Sequence, residues 1–212
     1  MRRAIDVVVA TTALVVSSPV IVLIGVLVWW RLGRPVLFRQ VRVGRHNKEF
    51  RIVKFRTMRS ERWPGEPDAD RDTGLGRRLR AISADELPQL WNVLVGDMSL
   101  IGPRPTLPDQ VRHYSARQRR RLELRPGLTG WAQVNGRNSI SWPQRIELDL
   151  EYVDRRGLGM DARIVWRTVR MLVQPTGIYG TGGVNPGFPI PDTAIPPSTS
   201  ADASTTAGKS RT

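Results

Sequence analysis

The chain has 212 residues, with 33 Lys and Arg against 19 Asp and Glu, a formal charge of +14, and no cysteine. That length suits one domain of ordinary size with appendages. The lack of cysteine excludes disulfides, thiolate–metal centres and a cysteine nucleophile, and two histidines far apart, His46 and His113, give no basis for a zinc site or a histidine triad. The cation excess, nearly all arginine, implies an anionic partner: nucleic acid, an anionic bilayer surface or a phosphorylated substrate.

From Val7 to Trp30 no residue is charged and most are Val, Leu, Ile or Ala. As a straight helix this run would be about 36 Å long, enough for a hydrocarbon core of roughly 30 Å. A single-pass anchor is therefore one reading. Ser18-Pro19 falls mid-run, however, where proline removes a backbone bond, and both flanks are basic: Arg2 and Arg3 before, Arg31, Arg34, Arg39 and Arg42 after. Each half is only about 18 Å long, and the positive-inside rule puts both ends in the cytoplasm. A re-entrant helix that enters, breaks at Ser18-Pro19 and returns satisfies both observations, with Trp29-Trp30 at headgroup level. The stretch is too long for a cleaved signal peptide.

Val36–Val43 and Phe50–Met58 read as strands of a hairpin around Gly44–Lys48. Alternation predicts that Lys54 and Arg56 share one strand face. Glu61–Thr73, polar and rich in Pro, Gly and Asp, reads as a mobile loop. Leu87, Leu90, Trp91 and Leu94 then recur at helical spacing behind the pair Asp85-Glu86. Two registers are open: Ser83 as N-cap in a capping box with Glu86, or Asp85 itself as N-cap because of Pro88. Either puts both carboxylates at a helix start, where capping alone is the ordinary explanation.

Gly102-Pro103-Arg104-Pro105 is a rigid turn presenting Arg104. Asp109–Arg125 predicts a basic helical face, and Pro126–Asn138 a loop bringing Gln133 and Arg137 towards something polar or anionic. Ser141 with Gln144 predicts a capped helix through Ile146, Leu150 and Val153. Met160–Val173 predicts an amphipathic helix, interfacial or core, with Arg163, Arg167 and Arg170 along one side. Beyond Asn185 the pattern is lost, and Pro/Ser/Thr/Ala-rich sequence predicts a disordered tail. The expected organisation is a re-entrant membrane helix at 1–33, an interfacial catalytic domain at 34–184 and the tail at 185–212. The expected fold is α+β, mainly α: the membrane helix, a short β-hairpin and several amphipathic helices around the site.

Acidic residues without histidine or cysteine partners point to a divalent cation on oxygen ligands or to a carboxylate nucleophile. Arginines would hold phosphates and a buried membrane helix suggests a lipid substrate, so phosphoryl chemistry at a bilayer is the leading inference.

KFRTM, LRAISADELPQLWNVLVGDMSLIGPRP and RPGLTGWAQVNGRN together resemble the bacterial sugar transferase family, the small monotopic phosphoglycosyl transferases, over Arg2 to about Gln174. The resemblance implies transfer of a phospho-sugar from a UDP-sugar to a polyprenol phosphate with release of UMP, starting a membrane-bound glycan, on the cytoplasmic face of the bacterial inner membrane. It also implies a re-entrant helix with a Ser-Pro break. By motif, Asp85 is the nucleophile and a ligand of Mg²⁺, and Glu86 assists as base or proton acceptor. Arg80, Arg104 and Arg137 hold phosphate oxygens, Lys54 and Arg56 support the site's electrostatics, and Gln133 meets nucleotide or sugar. Membrane lipids and downstream glycosyltransferases are the other implied partners, without nucleic acid. Arg34-Pro35 replaces the family's Gly-Pro, His46-Asn47 its Asn-Gly turn, and Ala84 a larger apolar residue; these departures alter loops. No multi-span N-terminal domain is expected, so this is the minimal form. Two rivals make different predictions: a metal-dependent glycosyltransferase forms no covalent intermediate, and a membrane-anchored nucleic-acid binder shows salt-steep affinity.

Overall fold

A computed structural model describes residues 2–136 and 139–174. It is mainly helical, with two small two-stranded sheets. Helix α1 runs from Arg2 to Leu32 with Pro19 inside it. A proline at 19 has no N–H for the carbonyl of Val15, and the Ser18 hydroxyl donates to that carbonyl instead, at 2.8 Å. Ser17 does likewise for Ala13, at 2.6 Å. The helix therefore runs through Ser18-Pro19, where the sequence predicted a break, and the Ser18 hydroxyl occupies the one carbonyl that the proline leaves without a backbone donor.

Both ends of α1 are fastened to the rest of the fold. Near its start, the Arg3 guanidinium donates to the carbonyls of Val93 and Leu94, at 2.5 and 2.7 Å, and the Asp6 carboxylate accepts from the Ser99 hydroxyl and the Leu100 N–H. At its other end, Arg56 donates to the carbonyls of Leu32, Gly33 and Arg34, as a cation suits a helix C-terminus. Between these ties Ala10 packs with Ile52, Leu90, Val93 and Met98, and Ile24 and Val28 pack with Phe55, Leu79 and Ala84. The opposite side of α1 exposes Val8, Val15, Val16, Val22 and Leu23.

Strands β1 (Leu37–Val43) and β2 (Glu49–Phe55) form the antiparallel hairpin, with Phe38 opposite Lys54 and Arg42 opposite Phe50. Its turn puts His46 and Asn47 at φ of 55° and 61°, a left-handed conformation that costs most residues about 1–2 kcal/mol each. Replacing His46-Asn47 by Asn-Gly is expected to stabilise the fold by about 1 kcal/mol, read as a higher urea midpoint at unchanged slope. An unchanged midpoint would mean the turn is not strained.

The segment predicted to be mobile is tied down. Glu66, 3% exposed, pairs with Arg59 and accepts from the Arg62 N–H at 2.9 Å. Short helix α2 (Asp68–Arg71) and α3 (Gly74–Ala81) follow, the latter capped by the Thr73 hydroxyl, which accepts from Gly76 N–H at 2.9 Å. A 3-10 helix (Ala84–Gln89) leads into α4 (Leu90–Val95), which Gly96 ends at φ 97°.

Strand β3 (Ser99–Ile101) pairs parallel with β4 (Gly127–Thr129), so the predicted loop at 126–138 contains regular structure. Gly102 and Gly127 lie so close that a Cβ on either would collide with the other segment's backbone. Between these strands the predicted basic helix is broken into α5 (Pro108–Arg112), α6 (Ala116–Arg119) and a 3-10 turn at Arg120–Glu123. Arg121 points inward rather than into solvent, 4% exposed. Helix α7 (Trp131–Val134) precedes α8 (Trp142–Arg155), which opens with the predicted Ser141–Gln144 capping box. Last is α9 (Leu158–Val173), where only Ile164 is buried, against Trp131 and Tyr152, while Val165, Trp166, Val169, Leu172 and Val173 are exposed.

Candidate active site

Asp85 and Glu86 lie in the 3-10 helix and cap nothing. Ser83 precedes it in a left-handed conformation, φ 56°, and its side chain makes no capping bond; the first turn closes by Glu86 N–H to Ser83 carbonyl at 3.1 Å. Neither predicted capping register forms, since Asp85 sits inside the helix and Pro88 lacks the N–H that an α-helical turn would need. The ordinary explanation for the acidic pair is thereby removed.

Asp85 is 4% exposed, and among the described residues its carboxylate has no hydrogen bond or ion pair within contact distance. Burial, then the neighbouring Glu86, pushes its pKa up, while Lys54, Arg104 and Arg80 pull it down less strongly. Lys54 on β2 lies within the electrostatic field of this carboxylate without contacting it; burial lowers its pKa, against the pull of Asp85 and Glu86. Glu86 accepts from the Arg104 guanidinium at 3.0 Å, and this carboxylate raises the pKa of Arg104. Arg104 is half exposed, so a ligand can approach its guanidinium while Glu86 holds it. Arg80 donates to the Thr57 hydroxyl at 2.8 Å and to Asp72, which aims its charge at the same place from α3.

Of the predicted set, then, the structure brings together Asp85, Glu86, Lys54, Arg80 and Arg104. Arg56 it does not bring there: β2 ends at Phe55, and the guanidinium turns back to cap α1. Gln133, 8% exposed, sits on α7 beside Gly102 and Gly130, with neither its amide oxygen nor its nitrogen hydrogen-bonded among the described residues. Arg137 lies outside the described residues.

Sequence reasoning missed a second layer. Arg42, on the hairpin face shared with Lys54, donates to Gln40 at 2.6 Å, and burial followed by repulsion from Arg104 lowers its pKa to about 10. Arg145 of α8 also lies in the field of Arg104; one of its terminal nitrogens, like Nε of Arg42, is buried without a partner. Beneath them Arg121 pairs with Asp149 and Tyr114 and donates to the Arg104 carbonyl at 3.3 Å. The α8 capping box could have pointed to Asp149 and Arg145, since it fixes the phase of that helix. For Arg42 the signal was strand alternation with Lys54 across the turn, once the register is known.

Cations that repel one another around a carboxylate unpaired among the described residues suit a ligand carrying several negative charges, and the apolar helix fastened beside them suits a lipid. The class so defined is an enzyme of phosphorylated substrates at a membrane. Comparison with known sequences makes it specific: residues 1–175 match the model of the family described as bacterial sugar transferase, and the chain belongs to that family. It is 46% identical over 187 residues to the Bacillus subtilis sugar transferase EpsL, covering 87% of this chain and 93% of that one. It is 41% identical to UDP-glucose:undecaprenyl-phosphate glucose-1-phosphate transferase of Caulobacter vibrioides, over 84% of this chain and 72% of that protein. With the exopolysaccharide production protein ExoY of Rhizobium meliloti it shares 35% identity, over 84% and 88% respectively.

Proposed function

We propose that the protein transfers the sugar-1-phosphate of a UDP-sugar to a polyprenyl phosphate through a covalent intermediate on Asp85, and so initiates a membrane-bound glycan. The observation that carries this reading is the buried Asp85 carboxylate, unpaired among the described residues yet in the field of Lys54, Arg80 and Arg104. A structural carboxylate that deeply placed would be expected to hold a partner. Relatives named for transfer of glucose-1-phosphate and N-acetylgalactosamine phosphate to undecaprenyl phosphate support the same chemistry.

In the first step an Asp85 oxygen attacks the sugar-bearing phosphorus of the UDP-sugar. The bond from that phosphorus to the bridging oxygen breaks, and the electron pair leaves with UMP. In the second step a phosphate oxygen of the polyprenyl phosphate attacks the same phosphorus, and the bond to Asp85 breaks, restoring the carboxylate and giving polyprenyl-diphosphate-sugar. Burial makes the Asp85 carboxylate more basic and a stronger nucleophile, while Lys54, Arg80 and Arg104 keep it ionised and balance charge on the phosphates. Glu86 holds Arg104 in place and takes a proton from the incoming phosphate where one remains. Arg42 and Arg145, with nitrogens lacking partners, are placed to hold further phosphate oxygens, and the unbonded Gln133 amide to meet nucleotide or sugar.

Among the described residues no group of three or more metal-ligating side chains occurs. Two adjacent carboxylates do fit a Mg²⁺ ion that arrives with substrate phosphates, since this ion commonly takes one or two carboxylates plus phosphate oxygens. Asp85 would hold it, and it would neutralise the diphosphate and improve UMP as leaving group.

We read α1 as re-entrant, its ends on the cytoplasmic face of the inner membrane, with the turn-around at Ser18-Pro19 as a bend within the helix where Pro19 supplies no backbone donor to the Val15 carbonyl. Support comes from the ties of Arg3, Asp6 and Leu32 to one body and from basic residues at both ends. UMP release across a panel of UDP-sugars, with and without polyprenyl phosphate, tests the activity. Release from none of them would refute the proposal. As pH falls through the raised Asp85 pKa the nucleophile is protonated, so the rate should fall on the acid side; a flat acid limb would contradict its role.

A further inference from the structure

On the hairpin face opposite Lys54, α1, the hairpin, the 3-10 helix and α4 line a groove of about 440 Å³, within the range of sites for small organic ligands. One wall is Leu14 and Ile21 of α1, which bracket Ser18-Pro19; Val53 of the hairpin and then Pro88 and Trp91 form the others. Two arginines, Arg39 and Arg51, also line it. Arg39 stands opposite Val53 and Arg51 opposite Val41, so both lie on one hairpin face as diagonal neighbours.

These two cations form a pair in the groove. Both are exposed, and among the described residues neither guanidinium has a hydrogen bond, ion pair or aromatic partner. Other exposed arginines, Arg78 and Arg119 among them, also lack such partners among the described residues, so what sets Arg39 and Arg51 apart is that they are neighbours lining one largely apolar groove. Two neighbouring, unpaired like charges beside an apolar wall repel each other until an anion bridges them. The anion that fits must also carry an apolar body along Leu14 and Ile21, which belong to a helix whose outer side is exposed Val and Leu.

Lys54 and Arg42 lie on the other hairpin face, so the groove meets the nucleophile's element only through Pro88 of the 3-10 helix. Side chains at i and i+3 of a 3-10 helix lie in line, so Pro88 stands one turn, about 6 Å, from Asp85 along the same side of that helix.

We infer that this groove seats the acceptor. The phosphate-proximal isoprenoid units of polyprenyl phosphate lie along Leu14, Ile21 and Val53, and Arg39 with Arg51 draws the lipid's phosphate to the Pro88 edge, from which it reaches the phospho-sugar on Asp85. A dianionic monoester matches two guanidinium groups better than a zwitterionic phospholipid does. This inference rests on the proposed function, whose two half-reactions make it separable: in a ping-pong scheme each substrate has its own kcat/KM.

The test uses the full chain in vesicles. The double variant Arg39→Gln/Arg51→Gln, and separately Ile21→Trp, which fills the groove, are assayed for UMP release while each substrate is varied in turn. Expected is a fall of about tenfold or more in kcat/KM for polyprenyl phosphate, with kcat/KM for the UDP-sugar changed less than about threefold. An unchanged acceptor value, or an equal fall in both, overturns the groove assignment while leaving the transferase reading intact. A wild-type chain inactive with every UDP-sugar removes both. In a second arm, the fluorescence of Trp91, isolated by subtracting a Trp91→Phe variant, is titrated in phosphatidylcholine vesicles with polyprenyl phosphate and with phosphatidylglycerol. A saturating change with polyprenyl phosphate alone supports the inference, and an equal response to phosphatidylglycerol overturns it by showing a general lipid site.

Discussion

Asp85→Asn abolishes turnover, by roughly 10⁴-fold or more, because an amide cannot take over the covalent step. The same substitution should make the protein more stable at neutral pH. Folding raises the pKa of Asp85 above its ordinary value of 3.8, mainly by burial, so the folded state disfavours the ionised form. The cost is absent below the unfolded pKa and fully present above the folded one. The gain in urea midpoint of Asp85→Asn over wild type should therefore be largest near neutral pH and vanish towards pH 4 and below. A variant less stable than wild type at pH 7 would show that Asp85 is a structural partner, and one that retains turnover would refute it as nucleophile.

Asp149→Ala is the variant expected to damage the fold most. Asp149 and Arg121 are 1% and 4% exposed and paired to each other. Removing one partner strands a buried charge, at a cost of about 3–5 kcal/mol. The double variant Arg121→Met/Asp149→Leu leaves no stranded charge and should recover most of that loss. Its activity should not recover, since Arg121 also donates to the Arg104 carbonyl and so holds the Pro103–Pro105 turn from which Arg104 reaches Glu86. Thermal denaturation and UMP release measured together check both halves. A single variant that loses less than about 1 kcal/mol would mean that water reaches the pair.

The acidic pair, the hairpin and the capped helix α8 were legible in the sequence because each has a local cause: adjacent carboxylates, alternation around a turn, and a hydroxyl three residues before a glutamine. Arg56 was misplaced because alternation gives a strand face only as long as the strand lasts, and β2 stops one residue before it. Arg121 was hidden for a different reason. In a run of arginines, composition speaks for solvent, and its counter-charge Asp149 is distant in sequence on α8. The β3–β4 pairing was invisible because three residues per strand carry no period, and the close approach of Gly102 and Gly127 that permits it is long-range. At Ser18-Pro19 the lost proline donor predicts a break, whereas the adjacent Ser18 hydroxyl bonds the freed Val15 carbonyl and the helix continues.

The pattern has a physical order. Features set by neighbours within about a turn of chain could be read directly, whereas the electrostatics of the site depend on which distant cations converge. Lys54, Arg80 and Arg104 come from three separate elements, and only their motifs' resemblance to a family had suggested that they meet.

The central claim, that Asp85 takes the phospho-sugar covalently, is tested most directly by intact mass. Incubating the full chain with a UDP-sugar that supports UMP release, without polyprenyl phosphate, should add the mass of one sugar phosphate. Fragmentation should place that mass on the peptide containing Asp85, and polyprenyl phosphate should discharge it. Stoichiometric UMP release only when both substrates are present, with no adduct at any time after rapid acid quenching, would contradict the account.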